Sequence, residues 1–207
     1  MIIEATSLSP EETYRLLSGV VVPRPIAWVL TRTGDGVDNL APFSCFTFVS
    51  NKPPMLGINM GRKKGARKDS RSNIDVSGEY VVHIPTARFT DAVHTSAKEF
   101  PAEVSEVKVL GLETVASAHV SVPRLRNLPL AMECRFHSAV AYGDTGAEFV
   151  VGEVLAFHVD DRIYADGKID TALLDPIARI GGPKYSTLGE ITTLTAIEQT
   201  PKSVIPS

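Results

Sequence analysis

No uncharged run in the 207-residue chain is longer than 13 residues, the stretch at 39–51. A helix crossing a bilayer needs roughly 20 consecutive apolar residues, so a helical span is excluded. The opening MIIEATSLSPEE carries Glu4 and no basic segment ahead of an apolar run, which argues against a secretory signal and for a cytoplasmic protein. Cysteine is scarce: Cys45 and Cys134 are the only two, with no C-x-x-C, so no disulfide framework is available and both are expected as reduced core residues. His83, His94, His119, His137 and His158 form neither H-x-x-x-H nor H-E-x-x-H, so no metal site is expected. The nucleophile elbow G-x-S-x-G is absent, as is a strand, G-x-G-x-x-G, helix unit, so neither an ordinary hydrolase nor a Rossmann nucleotide fold fits.

What is present suits one globular domain. Hydrophobic residues make up 43% and charged residues 22%, ordinary values for a chain that can bury its own core. The net charge of −3 is unevenly placed. The segment 61–71, GRKKGARKDSR, holds Arg62, Lys63, Lys64, Arg67, Lys68 and Arg71 against Asp69 alone, so it is +5 in a remainder of −8. A basic island in an acidic protein suits one local anion better than a nucleic-acid face, which needs a wider basic surface. A solvated basic loop is the plain alternative.

Local signals set the element order. Ser9, Pro10 and Glu12 form a capping box that starts a short helix. VVPRPIAWVLTR reads as a turn into a strand. TGDG, with Gly34 and Gly36 supplying positive φ, reads as a hairpin tip returning the chain as VDNLAPFSCFTFV. MLGINMG is a third strand. Asp69 or Ser70 caps a two-turn helix that ends at Gly78, followed by the strand EYVVHIP. FTDAVHTSAKEF spaces Phe89, Val93 and Ala97 along one helical face. LPLAMECRFHSAVAYG and AEFVVGEVLAFHVD flank the turn GDTG as a long hairpin, in which Glu133 reads as half of an interstrand pair. IARIGGPKYSTLGEI closes on a glycine turn, and TPKSVIPS reads as a frayed tail. Several strands with hairpin turns and only short helices favour a closed or nearly closed β-barrel.

The stretch NLAPFSCFTFVS is neither a Val/Ile/Leu run nor charged on one side. Hydroxyls and an amide set among Phe43, Phe46 and Phe48 describe an apolar surface with a few fixed hydrogen-bonding groups, as a pocket for a flat, partly polar ligand requires. Lys68, Ser70 and Asn73 open the helix that follows, where unpaired backbone N–H groups can hold a phosphate.

The order PRPIAWVLT, NLAPFSCFTFVSNKPP, KDSRSNI, GEYVVHI, LAMECR, VGEV and ARIGGPKY resembles the flavin reductase-like FMN-binding split-barrel family, in its flavoredoxin-like branch. The resemblance divides the chain into a helical lead-in at 1–19, a mainly β split-barrel domain with short helices and Greek-key-like order at 20–190, and a tail at 191–207. It implies a homodimer that binds FMN near the subunit interface and takes electrons from NADH or NADPH. It places the flavin ring along Ser44, Cys45, Phe46 and Thr47, with Asn39, Ala41 and Pro42 shaping the approach. Ser50, Arg62, Lys68, Ser70 and Asn73 would surround the ribityl chain and phosphate. His94 is the candidate catalytic side chain, with a helix-surface histidine as its plain alternative. Trp28 is a candidate border of the ring, with a core tryptophan as the plainer reading. Gly181, Gly182 and Tyr185 reach either the pocket or a dimer partner, or form a structural turn. Thr47 and His83 depart from the family pattern, where Asn is common at both places.

The activity so implied is an NAD(P)H-dependent flavin reductase passing electrons to free flavin or another small acceptor. The alternative is an FMN-containing electron carrier that serves a protein partner without efficient NAD(P)H use. A split barrel handling pyridoxal phosphate or haem would differ from both in its absorption spectrum.

Overall fold

The computed structural model describes residues 1–63, 65–200 and 202–203. Lys64 of the basic island, and residues 201 and 204–207 of the expected frayed tail, lie outside the described residues. The main elements are α1 (Pro10–Val20), β1 (Ala27–Arg32), β2 (Asp38–Phe43), β3 (Phe46–Asn51), β4 (Pro54–Met60), α2 (Asp69–Ser77), β5 (Glu79–His83), α3 (Thr90–Ser96), β6 (Leu130–Tyr142) and β7 (Ala147–Val159).

Seven strands form one antiparallel sheet in the order β2-β1-β5-β6-β7-β4-β3. Its two outer strands, β2 and β3, are neighbours in the chain, separated only by Ser44 and Cys45. Three Cα steps reach at most about 11 Å. A flat sheet of seven strands would hold its edges about 29 Å apart. The two-residue link therefore forces the sheet to curl until its edges meet, without pairing them, which is a split barrel. The expected single strand through NLAPFSCFTFV is thus two strands on opposite edges, and the candidate ligand stretch lies at the split.

Alternation along β1 shows how both faces are filled. Ala27 and Val29 join Phe43, Ile58, Met60, Ile74, Tyr80, Val82, Cys134 and Val150 in one core. Trp28 and Leu30 join Leu40, Val81, Val93, Val122, Leu125 and Ala131 in the other. Trp28 is fully buried and its Nε1–H donates to Ser96 Oγ at 2.9 Å, so it is a core residue that ties α3 to the sheet. Gly152 is demanded by packing. A Cβ there would stand 2.0 Å from Tyr80 Oη, 2.7 Å from its Cζ and 3.0 Å from the Arg135 carbonyl oxygen.

Most local expectations hold. Ser9 and Glu12 form the reciprocal capping box, with Pro10 at the first position. Gly78 ends α2 in the left-handed region. The long hairpin pairs β6 with β7. At the first hairpin tip Thr33 N–H donates to the Val37 carbonyl at 2.9 Å, but only Gly36 has positive φ, at 83°; Gly34 does not. α3 starts only after Phe89, buries Val93 and Ser96, and ends at Ser96, so Ala97 is an exposed C-cap rather than part of the buried face. Cys134 is buried as expected, whereas Cys45 is exposed because it sits in the gap between the two sheet edges.

Candidate functional site

The outer edge of β2 at the split is blocked rather than open. Leu40 N–H donates to Glu106 Oε2 at 2.9 Å. Pro42, two residues on and facing the same way, has no N–H to offer. Past it, Ser44 is half-buried, and its Oγ accepts from Arg24 Nε at 3.4 Å. Cys45 is exposed and its carbonyl accepts from Asn59 N–H at 2.8 Å. Phe43 is buried, while Ala41 and Phe46 are half-buried against the core. Thr47 is exposed and donates to the Phe48 carbonyl; Ser50 Oγ accepts from Lys52 N–H. The split thus carries hydroxyls with spare hydrogen-bonding capacity on an aromatic floor.

The start of α2 stands against this floor. Lys68 is the N-cap residue and supplies no side-chain cap. Its carbonyl takes the Arg71 and Ser72 N–H groups, so the amides of Asp69 and Ser70 have no partner among the described residues. Lys68 Nζ lies 5.2 Å from the centre of the Phe43 ring. Burial pushes the Lys68 ammonium down from its ordinary pKa, a shift opposed by the charge of Glu99 and reinforced by Lys63. Beneath it, Asn39 Nδ2 donates to Ser70 Oγ at 2.9 Å and to Thr31 Oγ1 at 3.3 Å, and Asn73 Nδ2 donates to Thr31 Oγ1 at 3.0 Å. Asn39, Ser70 and Asn73 are therefore brought together with their side chains buried, Asn39 bonded directly to Ser70 and linked to Asn73 through Thr31.

Most of the basic island is occupied elsewhere. Arg62, Arg67 and Arg71 converge on Glu148 at 3.9, 3.1 and 3.7 Å, and Asp75 takes Arg67 and Arg71. Arg62 Nε also donates to the Gly146 carbonyl at 2.7 Å. Lys63 pairs with Asp69 at 3.6 Å. Glu148 of β7, with Asp69 and Asp75 of α2 itself, thus neutralises what looks in sequence like a free patch. Among the described residues Lys68 is the island's only cation outside an ion pair.

The histidines divide by environment. His94 is exposed on α3, with Nδ1 3.2 Å from Tyr185 Oη, which also accepts from Arg179 Nη1 at 2.7 Å. This joins His94 to the GGPKY turn. His83 is fully buried: its Nδ1–H donates to the Trp28 carbonyl and its Nε2 accepts from Leu125 N–H at 2.9 Å. Burial holds its pKa down at about 4, so the ring is neutral and structural. Glu133 is not half of a simple interstrand pair. Its buried carboxylate accepts from the N–H groups of Ala118, His119 and Val120 and from His158 Nε2, clamping the 117–120 loop to β6. Burial alone would raise the Glu133 pKa, but the hydrogen bonds from Ala118, His158 and His119 outweigh it and the carboxyl is held below its ordinary value.

Arg24, Thr31 and Arg179 carry little signal in the sequence: an arginine between prolines, a hydroxyl ending an apolar strand, and an arginine before a glycine turn. A cleft of about 590 Å³ bordered by Thr86, Arg88, Asp160, Arg162 and Asp175 includes none of the candidate ligand-binding residues. Among the described residues no helix is long and apolar enough to cross a membrane.

Residues 18–173 match the flavin reductase like domain. The chain belongs to the flavin reductase-like family, whose split-barrel fold it shares. Its relatives include an uncharacterized protein of Halalkalibacterium halodurans, BH2278, 41% identical over 199 residues, covering 94% of this chain and 95% of that one. Nitrilotriacetate monooxygenase component B from Bacillus cereus superposes with a TM-score of 0.91 at 34% identity, covering 94% of this chain and 98% of that one. The 2-nitrobenzoate 2-nitroreductase NbaA of Pseudomonas fluorescens superposes at 0.87 with 26% identity, covering 98% and 99%.

Proposed function

We propose that the protein is an NAD(P)H-dependent flavin reductase that holds FMN at the split and passes its electrons to free flavin or another small acceptor. One observation carries the reading. The uncapped start of α2, with the desolvated Lys68 ammonium, stands over Phe43 on the strand that opens into Ser44 and Cys45. A surface suited to a phosphate and a surface suited to a flat, hydrogen-bonding ring are side by side, in the arrangement a mononucleotide needs.

On this reading Lys68 and the Asp69 and Ser70 amides hold the phosphate. Ser44 and Thr47 hydroxyls, with the backbone at Cys45 and Phe46, hydrogen-bond the ring edge, while Ala41 and Pro42 border its approach. The buried Asn39, Ser70 and Asn73 network sets the position of α2 against β1 and β2, so it acts by holding the phosphate groove in shape. Arg62, committed to Glu148 and Gly146, and Ser50, at the far end of β3, stand at the margin of the pocket. When bound, the flavin supplies the hydride and electron chemistry, and no side chain need act as a nucleophile. That a relative of 34% identity is component B of a monooxygenase, and another a nitroreductase, supports a role in handing electrons on.

The apolar side chains of α1, none of them buried, and the exposed Phe48 and Val49 beside the split support a homodimer that covers the site from one side. The reading fits a cytoplasmic enzyme supplied with NADH or NADPH.

The test is an absorption spectrum of the purified protein, followed anaerobically as NADH and then NADPH are added. Flavin bands that bleach with either nucleotide support the reductase and name its donor. Flavin bands that resist both favour an electron carrier serving a protein partner. A colourless protein that fails to take up added FMN sinks the site. Lys68→Ala should weaken FMN uptake by about tenfold or more, the loss of one charge-assisted bond to phosphate.

A further inference from the structure

Beside the split lies a charge arrangement that the flavin site leaves unused. The short strands Arg24–Pro25, Ala178–Arg179 and Tyr185–Ser186 form a three-stranded antiparallel sheet in which Arg24 stands directly opposite Arg179, and Arg179 opposite Tyr185. Directly opposed residues share a face of a sheet, and like charges there repel. Neither arginine belongs to an ion pair among the described residues.

Neutral groups hold both side chains in place. Arg24, only 7% exposed, donates through Nη1 to the Ser18 and Val21 carbonyls at 2.6 and 2.8 Å and through Nε to Ser44 Oγ. Arg179 donates through Nε to the Gly182 carbonyl at 2.9 Å and through Nη1 to Tyr185 Oη, with its guanidinium 4.8 Å from the centre of that ring. The Nη2 group of each has no partner among the described residues and is not sealed from solvent. The row Ser44, Arg24, Arg179, Tyr185, His94 therefore runs from the split to the exposed face of α3 with two positive charges and no carboxylate paired to either.

We infer that this row is a subsite for the anionic oxygens, carboxylate or phosphate, of the small molecule that exchanges electrons at the split. Its role in electron exchange rests on the flavin reading above; its capacity to bind an anion does not. Two fixed guanidinium groups with free Nη2 donors suit a carboxylate or phosphate, and an anion there removes the repulsion between them.

The test follows the arginine Nε–H resonances of the isotopically labelled protein at constant ionic strength, with sodium benzoate added in one series and inorganic phosphate in another. Saturable shifts at both Arg24 and Arg179 are expected, with affinity falling about tenfold or more in Arg179→Gln and partly restored in Arg179→Lys. Tighter benzoate binding supports a carboxylate-bearing partner, and tighter phosphate binding a phosphate-bearing one. Shifts that never saturate, or an affinity unchanged in Arg179→Gln, overturn the subsite. Should Arg179→Gln fail to fold, an unchanged affinity in Tyr185→Phe together with no saturable shift at Arg179 in the parent protein overturns it as well. FMN uptake, read separately by quenching of flavin fluorescence, keeps the two proposals apart. Saturable anion binding without FMN uptake supports the subsite and removes its electron-transfer role, whereas FMN uptake without Arg179-dependent anion binding overturns the subsite alone.

Discussion

Acidification should destabilise the protein through His83, beginning as the pH falls below 6.5. The ring is fully buried, with both nitrogens satisfied by backbone groups, and its pKa is lowered from 6.5 to about 4. Desolvation is the main cause; the charge of Arg124 adds to it, and the hydrogen bond to Trp28 opposes it. Because the folded pKa lies below the unfolded value, the unfolded chain binds the proton first. Stability contributed by the neutral ring is complete above pH 6.5 and falls as the pH drops toward 4. The loss by pH 4 is about 3 kcal/mol, a large share of the 5–15 kcal/mol that a domain usually has. Urea denaturation at a series of pH values should show this decline. His83→Gln, which keeps an acceptor for Leu125 N–H and cannot titrate in this range, should be less stable at pH 7 but flat between pH 6.5 and 4.5. Equal slopes in the two proteins, or an imidazole titration near 6.5 by NMR, would refute the reasoning.

Gly152→Ala should cost about 2–3 kcal/mol, since the new methyl meets the Tyr80 ring and a backbone carbonyl in a closed core, and replacing Tyr80 by Leu in the same chain should recover part of it; thermal unfolding reads both. Glu133→Gln removes the charge that accepts three loop amides and His158, so a loss of about 3–5 kcal/mol and faster amide exchange at 118–120 are expected. The Glu133 carboxyl is held below its ordinary pKa, so its contribution is present at neutral pH and is lost as the pH falls below the ordinary carboxylate value and through that lowered one. Ser44→Ala combined with Thr47→Ala should weaken FMN binding without changing the melting temperature by more than a few degrees. An unchanged FMN affinity would remove the ring from this part of the split.

The division between local and distant information is visible in particular residues. The capping box at Ser9 and Glu12, the αL glycine at 78 and the hairpin across GDTG each depend on residues within a few positions of one another, so the chain announces them directly. The barrel class followed from the same signals, since short strands with tight turns leave few alternatives. NLAPFSCFTFVS was legible as a polar-studded apolar stretch, but its division into two edge strands was not. That depends on β2 pairing with β1 and β3 with β4 at opposite edges of the sheet, after which the two-residue link draws the edges together.

Charge was misleading for a similar reason. The island at 61–71 reads as free because its partners Glu148 and Asp75 are supplied by β7 and the end of α2. His83 gives no hint in sequence that Trp28 and Leu125 enclose it, and Glu133 gives none of the loop it clamps. By itself the sequence determined the element order, the barrel class and the residue types available at the split, because these arise from short-range propensity and turn chemistry. Only the tertiary structure decided which charges stay unpaired, which polar groups are buried, and that Lys68 and Arg24 both face the same break in the sheet. Such facts are set by contacts between residues distant in the chain.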